Sequence, residues 1–209
     1  MECKLIEHNG VMQLEINSEI IYPLSFKSFR PTDRNISDFY KAGVRLFSIL
    51  SSGMNNSLGT PYSLYGESWV GENEYDFAPI DTQIELFIKN APDAYFALMV
   101  QLDTRQWWLT QNKEYPNSFW CLSQIAADER WRLAAAKYLK AVLQHVEEKY
   151  GERFYGYFML CGTTTEWFSD RDYEEPHAFE EKAYKEYLKD ENAVIPPKIE
   201  REKDAGIVF

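Results

Sequence analysis

Glu166 is the residue whose surroundings point most directly to chemistry. It lies in Cys161-Gly162-Thr163-Thr164-Thr165-Glu166-Trp167-Phe168, just past a short apolar run that reads as a strand. A carboxyl group projecting from a strand end beside an indole sits in a partly apolar pocket. Such a pocket disfavours the charged form and raises the pKa, as a general acid for glycosidic cleavage requires. The competing reading is a loop glutamate exposed to water. Trp107-Trp108 and Trp167 suit sugar binding, because an indole stacks on the apolar face of a pyranose while polar neighbours orient its hydroxyls. Asp103, at the end of another strand-like run, can accept bonds from such hydroxyls. The same tryptophans equally suit a cap over a core, and Trp69 leans that way.

Other chemistries lack their residues. His8, His145 and His177 are scattered with no metal-ligand spacing, so no metal is expected. Nucleophile elbows, Walker loops and Gly-x-Gly-x-x-Gly runs are absent, and no cofactor is expected. The 33 acidic and 22 basic residues leave a net charge of −11, which repels phosphate backbones and anionic headgroups; neither nucleic acid nor a membrane is an expected partner. No run reaches the roughly 18 apolar residues of a membrane span, and the start, Met1-Glu2-Cys3, has no export signal. Cys3, Cys121 and Cys161 are odd in number and widely spaced, which favours a reducing cytoplasm over a disulfide framework.

These side chains need elements to hold them. Residues 3 to 24 read as a β element in which Lys4-Leu5-Ile6 and Val11 to Ile16 flank a His8-Asn9-Gly10 turn, and Glu19 to Leu24 forms a third run. An initial strand is expected near Leu24 to Phe29. Val44 to Leu50, Ala94 to Leu102 and Phe154 to Cys161 are short, nearly continuous apolar runs, as in strands buried on both faces of a parallel sheet. Helical spacing appears around Asp38 to Ala42. Ile80, Ile84, Phe87, Ile88 and Ala91 form a second apolar stripe, with Asp76 as N-cap and Pro92 as stop. Trp131, Ala135, Tyr138, Leu139, Val142, Val146 and Tyr150 form a third, from Asp128 to Gly151. A last helix is expected over His177 to Lys189, with Phe179, Ala183, Tyr187 and Leu188 turned inward.

The helix-to-strand links are very short, Pro92-Asp93 and Gly151-Glu152, whereas the strand-to-helix links are long: 51 to 75, 103 to 127 and 162 to 176. In α/β barrels and open parallel sheets, functional loops follow the carboxyl ends of strands. Five of the six tryptophans fall in these loops. A β prelude over residues 1–24 and about four βα units over 25–209 are therefore expected, against about 250 residues for a complete barrel. The alternative is an open doubly wound sheet, but Ser25-Phe26-Lys27-Ser28-Phe29-Arg30 offers no glycine for a phosphate loop.

The order Trp69-Val70-Gly71, Tyr75-Asp76-Phe77, Ile80-Asp81, Pro92-Asp93-Ala94-Tyr95-Phe96, Asp103, Trp107-Trp108, Trp131-Arg132, Tyr150-Gly151, Tyr155-Gly156-Tyr157 and Glu166-Trp167 resembles the β-galactosidase-like glycoside hydrolases. Those are retaining (β/α)8 enzymes, and the likeness spans roughly residues 10 to 190, the front half of the family's domain. It implies that Glu166 is the acid/base at the end of the fourth strand. It also implies that the nucleophile, a glutamate after the seventh strand, is missing. Retaining hydrolysis needs two carboxyl groups about 5 Å apart, so this stretch alone is expected to be inactive. The family usually has asparagine before the acid/base, to hold a sugar hydroxyl; Thr165 stands there instead. Three functions follow: half of a glycosidase, a non-catalytic saccharide-binding module, or a half-barrel subunit that self-associates or pairs with a complementary chain.

Overall fold

The computed structural model describes residues 1–56, 59–162, 167 and 176–195. The chain opens with β1 (Cys3–His8), β2 (Val11–Ile16) and β3 (Glu19–Ile21), paired antiparallel in that order. Both connections are two-residue turns: Asn9 and Gly10 have φ of 53° and 76°, and Asn17 and Ser18 have 49° and 70°. Positive φ at both central positions is the type I′ geometry that matches the strands' twist, and Asn and Gly reach it at least cost.

Next come β4 (Ser25–Lys27), α1 (Asp33–Lys41), β5 (Leu46–Leu50), β6 (Trp69–Gly71), β7 (Glu74–Tyr75) and α2 (Ala78–Asn90). They are followed by β8 (Tyr95–Gln101), α3 (Gln106–Gln111), α4 (Leu122–Ala127), α5 (Glu129–Tyr150), β9 (Phe154–Leu160) and α6 (Ala178–Leu188). Strands β4, β5, β8 and β9 form one parallel sheet of four in chain order. The protein is thus of mixed α/β class. Among the described strands there is no reversal of order, which a doubly wound sheet would show at its switch point.

Period-two alternation divides the sheet into two faces. Phe47 and Ile49 of β5, and Phe96, Leu98 and Val100 of β8, share one core with Ile36 of α1, Ile84 and Phe87 of α2, and Tyr138 and Val142 of α5. All three connecting helices therefore cover the same face. The opposite face is closed at its two ends by different parts of the chain. Ile16 and Ile21 of the antiparallel sheet pack with Leu46, Tyr95 and Tyr155, at the amino ends of three strands. Tyr62 and Phe119, from the long loops, pack with Leu50 and Leu160 at the carboxyl ends.

Local chemistry moves several boundaries. The first helix is longer than the spacing around Asp38 to Ala42 indicates, because Thr32 caps it by accepting from the Asn35 amide at 3.2 Å. Phe77, not Asp76, occupies the N-cap of α2, although Asp76 Oδ1 accepts from the Ala78 amide at 3.0 Å. The long loops are not irregular throughout: they hold the β6–β7 hairpin and the short helices α3 and α4. The expected inward stripe of α6 is corrected, for Tyr187 is 82% exposed and Leu188 about half exposed, while Phe179 packs on the core. No helix among the described residues is long and apolar enough to cross a membrane.

Phe47 is fully buried, with its ring centroid 5.9 Å from that of Phe26 and 5.7 Å from that of Phe87. Phe47→Ala should cost about 3–5 kcal/mol of stability, through lost burial and the cavity left between sheet and α2. Urea unfolding checks this, with Tyr187→Ala as the exposed control expected to stay within about 0.5 kcal/mol of the parent.

Candidate functional site

Polar side chains gather where the parallel strands end. Asp103 follows β8 by two residues and is wholly buried. Its Oδ1 accepts from Ser118 Oγ at 2.9 Å, from the Gly162 amide at 2.9 Å and from Cys161 Sγ at 3.5 Å. The carboxylate thereby ties the loop after β8 to the start of the loop after β9. Ser118 is fixed reciprocally: the Thr104 amide donates to Ser118 Oγ at 2.8 Å, and the Ser118 amide donates to Thr104 Oγ1 at 3.1 Å.

Arg105 lies behind this carboxylate, 3% exposed, with its guanidinium 5.4 Å from the Trp69 ring centroid and 5.8 Å from that of Tyr138. It donates to the carbonyl of Asp103 and, at 2.8 Å, to that of Gln101. Its Nε stands 3.0 Å from Glu67 Oε1. Burial opposes the charge, but Glu67 and the other nearby groups prevail and hold the guanidinium above its ordinary pKa. Glu67 is itself saturated: Ser52 Oγ donates to one oxygen at 2.5 Å, and the amides of Ser68 and Trp69 donate to the other at 3.0 and 2.9 Å.

A second chain of bonds runs beside the first. Tyr138 Oη lies 2.6 Å from Ser68 Oγ, which donates to the Ser51 carbonyl at 2.7 Å. Ser51 Oγ donates to Gln101 Oε1 at 3.2 Å. What this network leaves open is specific. Apart from Arg105 Nε, which has the Glu67 carboxylate 3.0 Å away, Asp103 Oδ2, Gln101 Nε2 and Tyr62 Oη are buried and have no hydrogen-bond partner. Native proteins rarely leave such atoms unpaired, so three at one end of a sheet mark a place for a polar guest or ordered water. Burial and the charge of Asp103 push the Tyr62 phenol up to about 12, so it stays a donor. Burial is also the largest influence on Asp103 itself, and it raises that carboxyl despite the Gly162 and Ser118 bonds.

The sequence-derived site residues are distributed unevenly over this geometry. Asp103 stands within the network. Thr165 and Glu166 lie outside the described residues. Trp167 is 49% exposed at a φ of 55°; its amide donates to the Cys161 carbonyl at 2.8 Å and its indole N–H to the Met159 carbonyl at 2.7 Å. Trp107 and Trp108 stand apart from the Asp103 network. They line a groove of about 430 Å³ between the β6–β7 hairpin, α3 and α5, together with Asn73, Gln111 and Lys137. Trp69 is core, stacked on Tyr138 with centroids 4.9 Å apart. Glu67, Tyr62, Gln101, Arg105 and Ser118 carried no motif; only the polar residues of Gln101 to Arg105, breaking an apolar run, hinted at a strand-end site.

Comparison with protein-family models, with curated proteins and with solved structures finds no match to this chain. Fold and site define it as a mixed α/β protein whose parallel sheet carries a buried polar network at the carboxyl ends of its strands.

Because Asp103 is held above its ordinary pKa when folded, the native state keeps that proton more tightly than the unfolded chain does. Wild-type stability should therefore fall as pH rises from the ordinary carboxylate value through the raised one. An asparagine side chain cannot titrate, so the stability of Asp103→Asn relative to wild type should climb over that interval and then level off. Urea midpoints from about pH 4 to about pH 8 read this directly; a constant difference would contradict it.

Proposed function

We propose that this chain is the amino-terminal half of a (β/α)8 glycosidase-like barrel, which takes β-galactoside-type saccharides where its parallel strands end. The observation that carries the reading is the trio of unpartnered buried atoms, Tyr62 Oη, Gln101 Nε2 and Asp103 Oδ2. Two donors and a carboxylate oxygen match the mixed donors and acceptors of sugar hydroxyls. Chain-order parallel strands, with their connecting helices on one face, support the barrel over the doubly wound alternative.

Glu166 takes the acid/base role in this reading. The described residues on either side of it make bonds, the Gly162 amide to Asp103 and the Trp167 amide to the Cys161 carbonyl. A retaining mechanism needs a second carboxylate about 5 Å from the first, so turnover waits on residues beyond these four strands, whichever chain carries them. Until then the chain holds a saccharide without cleaving it. The free thiols of Cys3 and Cys161 accord with a reducing cytoplasm.

Calorimetric titration with methyl β-galactoside should show saturable binding, weakened about tenfold by Asp103→Asn and by Tyr62→Phe, the size of one lost bond to a buried partner. No binding, or unchanged affinity in both variants, would remove the pocket from the reading. No nitrophenol should be released from an aryl β-galactoside by the chain alone. Release that survives Glu166→Gln would strip Glu166 of its role.

One observation favours a second copy of this chain as the partner. Strand β9 ends the described sheet, and it exposes Phe158 (50%) and Met159 (46%) on opposite faces. An apolar edge strand invites pairing with another strand. Sedimentation should show self-association that Phe158→Asp weakens; a monomer at every concentration would argue against it.

A further inference from the structure

The groove that holds Trp107 and Trp108 is unaccounted for by the strand-end pocket. It opens on the helix side of the molecule, between the β6–β7 hairpin, α3 and the first turns of α5, with a volume of about 430 Å³. Its indoles differ in one respect. Trp107 Nε1 donates to the Trp69 carbonyl at 2.9 Å. Trp108 is 6% exposed, yet its Nε1 is buried with no partner. A buried indole N–H normally finds an acceptor; that of Trp131 in the core is unpaired as well, but of the two only Trp108 lines the groove.

The rim supplies the rest of a polar ligand's needs. Asn73 in the hairpin turn, Gln111 at the end of α3 and Lys137 on α5 line the groove, and Glu72 and Arg130, of opposite charge, line it beside them. Lys137 forms no ion pair with a described residue. Amide and ammonium groups around paired indoles offer stacking surface together with donors and acceptors at several angles, the combination that orients a pyranose. The net charge of −11 opposes a nucleic-acid guest for the same aromatic surface. The volume lies within the range of small-ligand sites, so the occupant is a sugar unit or two rather than a long chain buried whole.

We infer that this groove is a second saccharide site, separate from the Asp103 pocket, and that it takes a short stretch of a neutral oligosaccharide with the Trp108 indole N–H donating to a sugar oxygen. The inference does not rest on catalysis: it stands on the unpaired indole and the rim, whatever Glu166 does.

Lactose titrated against protein carrying ¹⁵N-labelled tryptophan tests it, because the six indole N–H signals report separately. The Trp108 signal should move as its hydrogen bond forms, saturating with a dissociation constant of about 1 mM. Gln111→Ala and Lys137→Ala, both at exposed positions, should together weaken that movement about tenfold. Tyr62→Phe, which cripples the strand-end pocket, should leave it intact, so failure of the other site cannot be mistaken for failure of this one. A Trp108 signal unmoved at about 20 mM lactose would overturn the inference. Movement that ignores the rim variants and vanishes with Tyr62→Phe would do the same.

Discussion

A fully charged guanidinium shut inside a protein is costly unless its partners are all in place, and Arg105 is such a group. Those partners come from every part of the molecule that meets at the carboxyl end of the sheet. The carbonyls of Gln101 and Asp103 belong to the end of β8, Glu67 to the loop after β5, Trp69 to the hairpin, and Tyr138 to the middle of α5. Each of these would leave an uncompensated charge or a gap if it moved away. The long loops are therefore held to one arrangement by a single cation, with Glu67 in turn spending its second oxygen on Ser52.

That restraint explains why the neighbouring polar atoms can stay unpaired. Asp103 is pinned through Oδ1 by Ser118 and Gly162, and it cannot rotate to satisfy Oδ2 without losing both. Gln101 is held through Oε1 by Ser51, which leaves its amide nitrogen facing nothing. A flexible loop would have collapsed onto these groups. Rigidity in the surrounding layer holds these polar groups in place even though they lack partners within the chain.

Much of the scaffold was legible in the residues. The parallel strands showed as nearly unbroken apolar runs: Tyr95 to Gln101 is buried on both faces, and Phe154 to Leu160 is as apolar although its Phe158 and Met159 stay half exposed. Asn9-Gly10 announced its turn through backbone preference alone, and Asp128 and Gly151 bracketed α5 as cap and stop. The site was less legible. Helices α3 and α4 have six residues each, too few for periodicity to register, and α3 aims Trp107 and Trp108 at a groove rather than at Asp103. The pairing of Glu67 with Arg105 joins two loops distant in sequence, and no local pattern encodes it. In α6 the apolar spacing misled, since Tyr187 faces water.

The order of the strands bears on how the molecule is assembled. Each parallel strand is bonded to the one preceding it in the chain, β5 to β4, β8 to β5 and β9 to β8. A nascent polypeptide can thus add one strand and its covering helix at a time, closing modest loops at every step instead of waiting for a distant segment. Growth of this kind is directional. It always leaves the newest strand as a template, and among the described strands that one is β9.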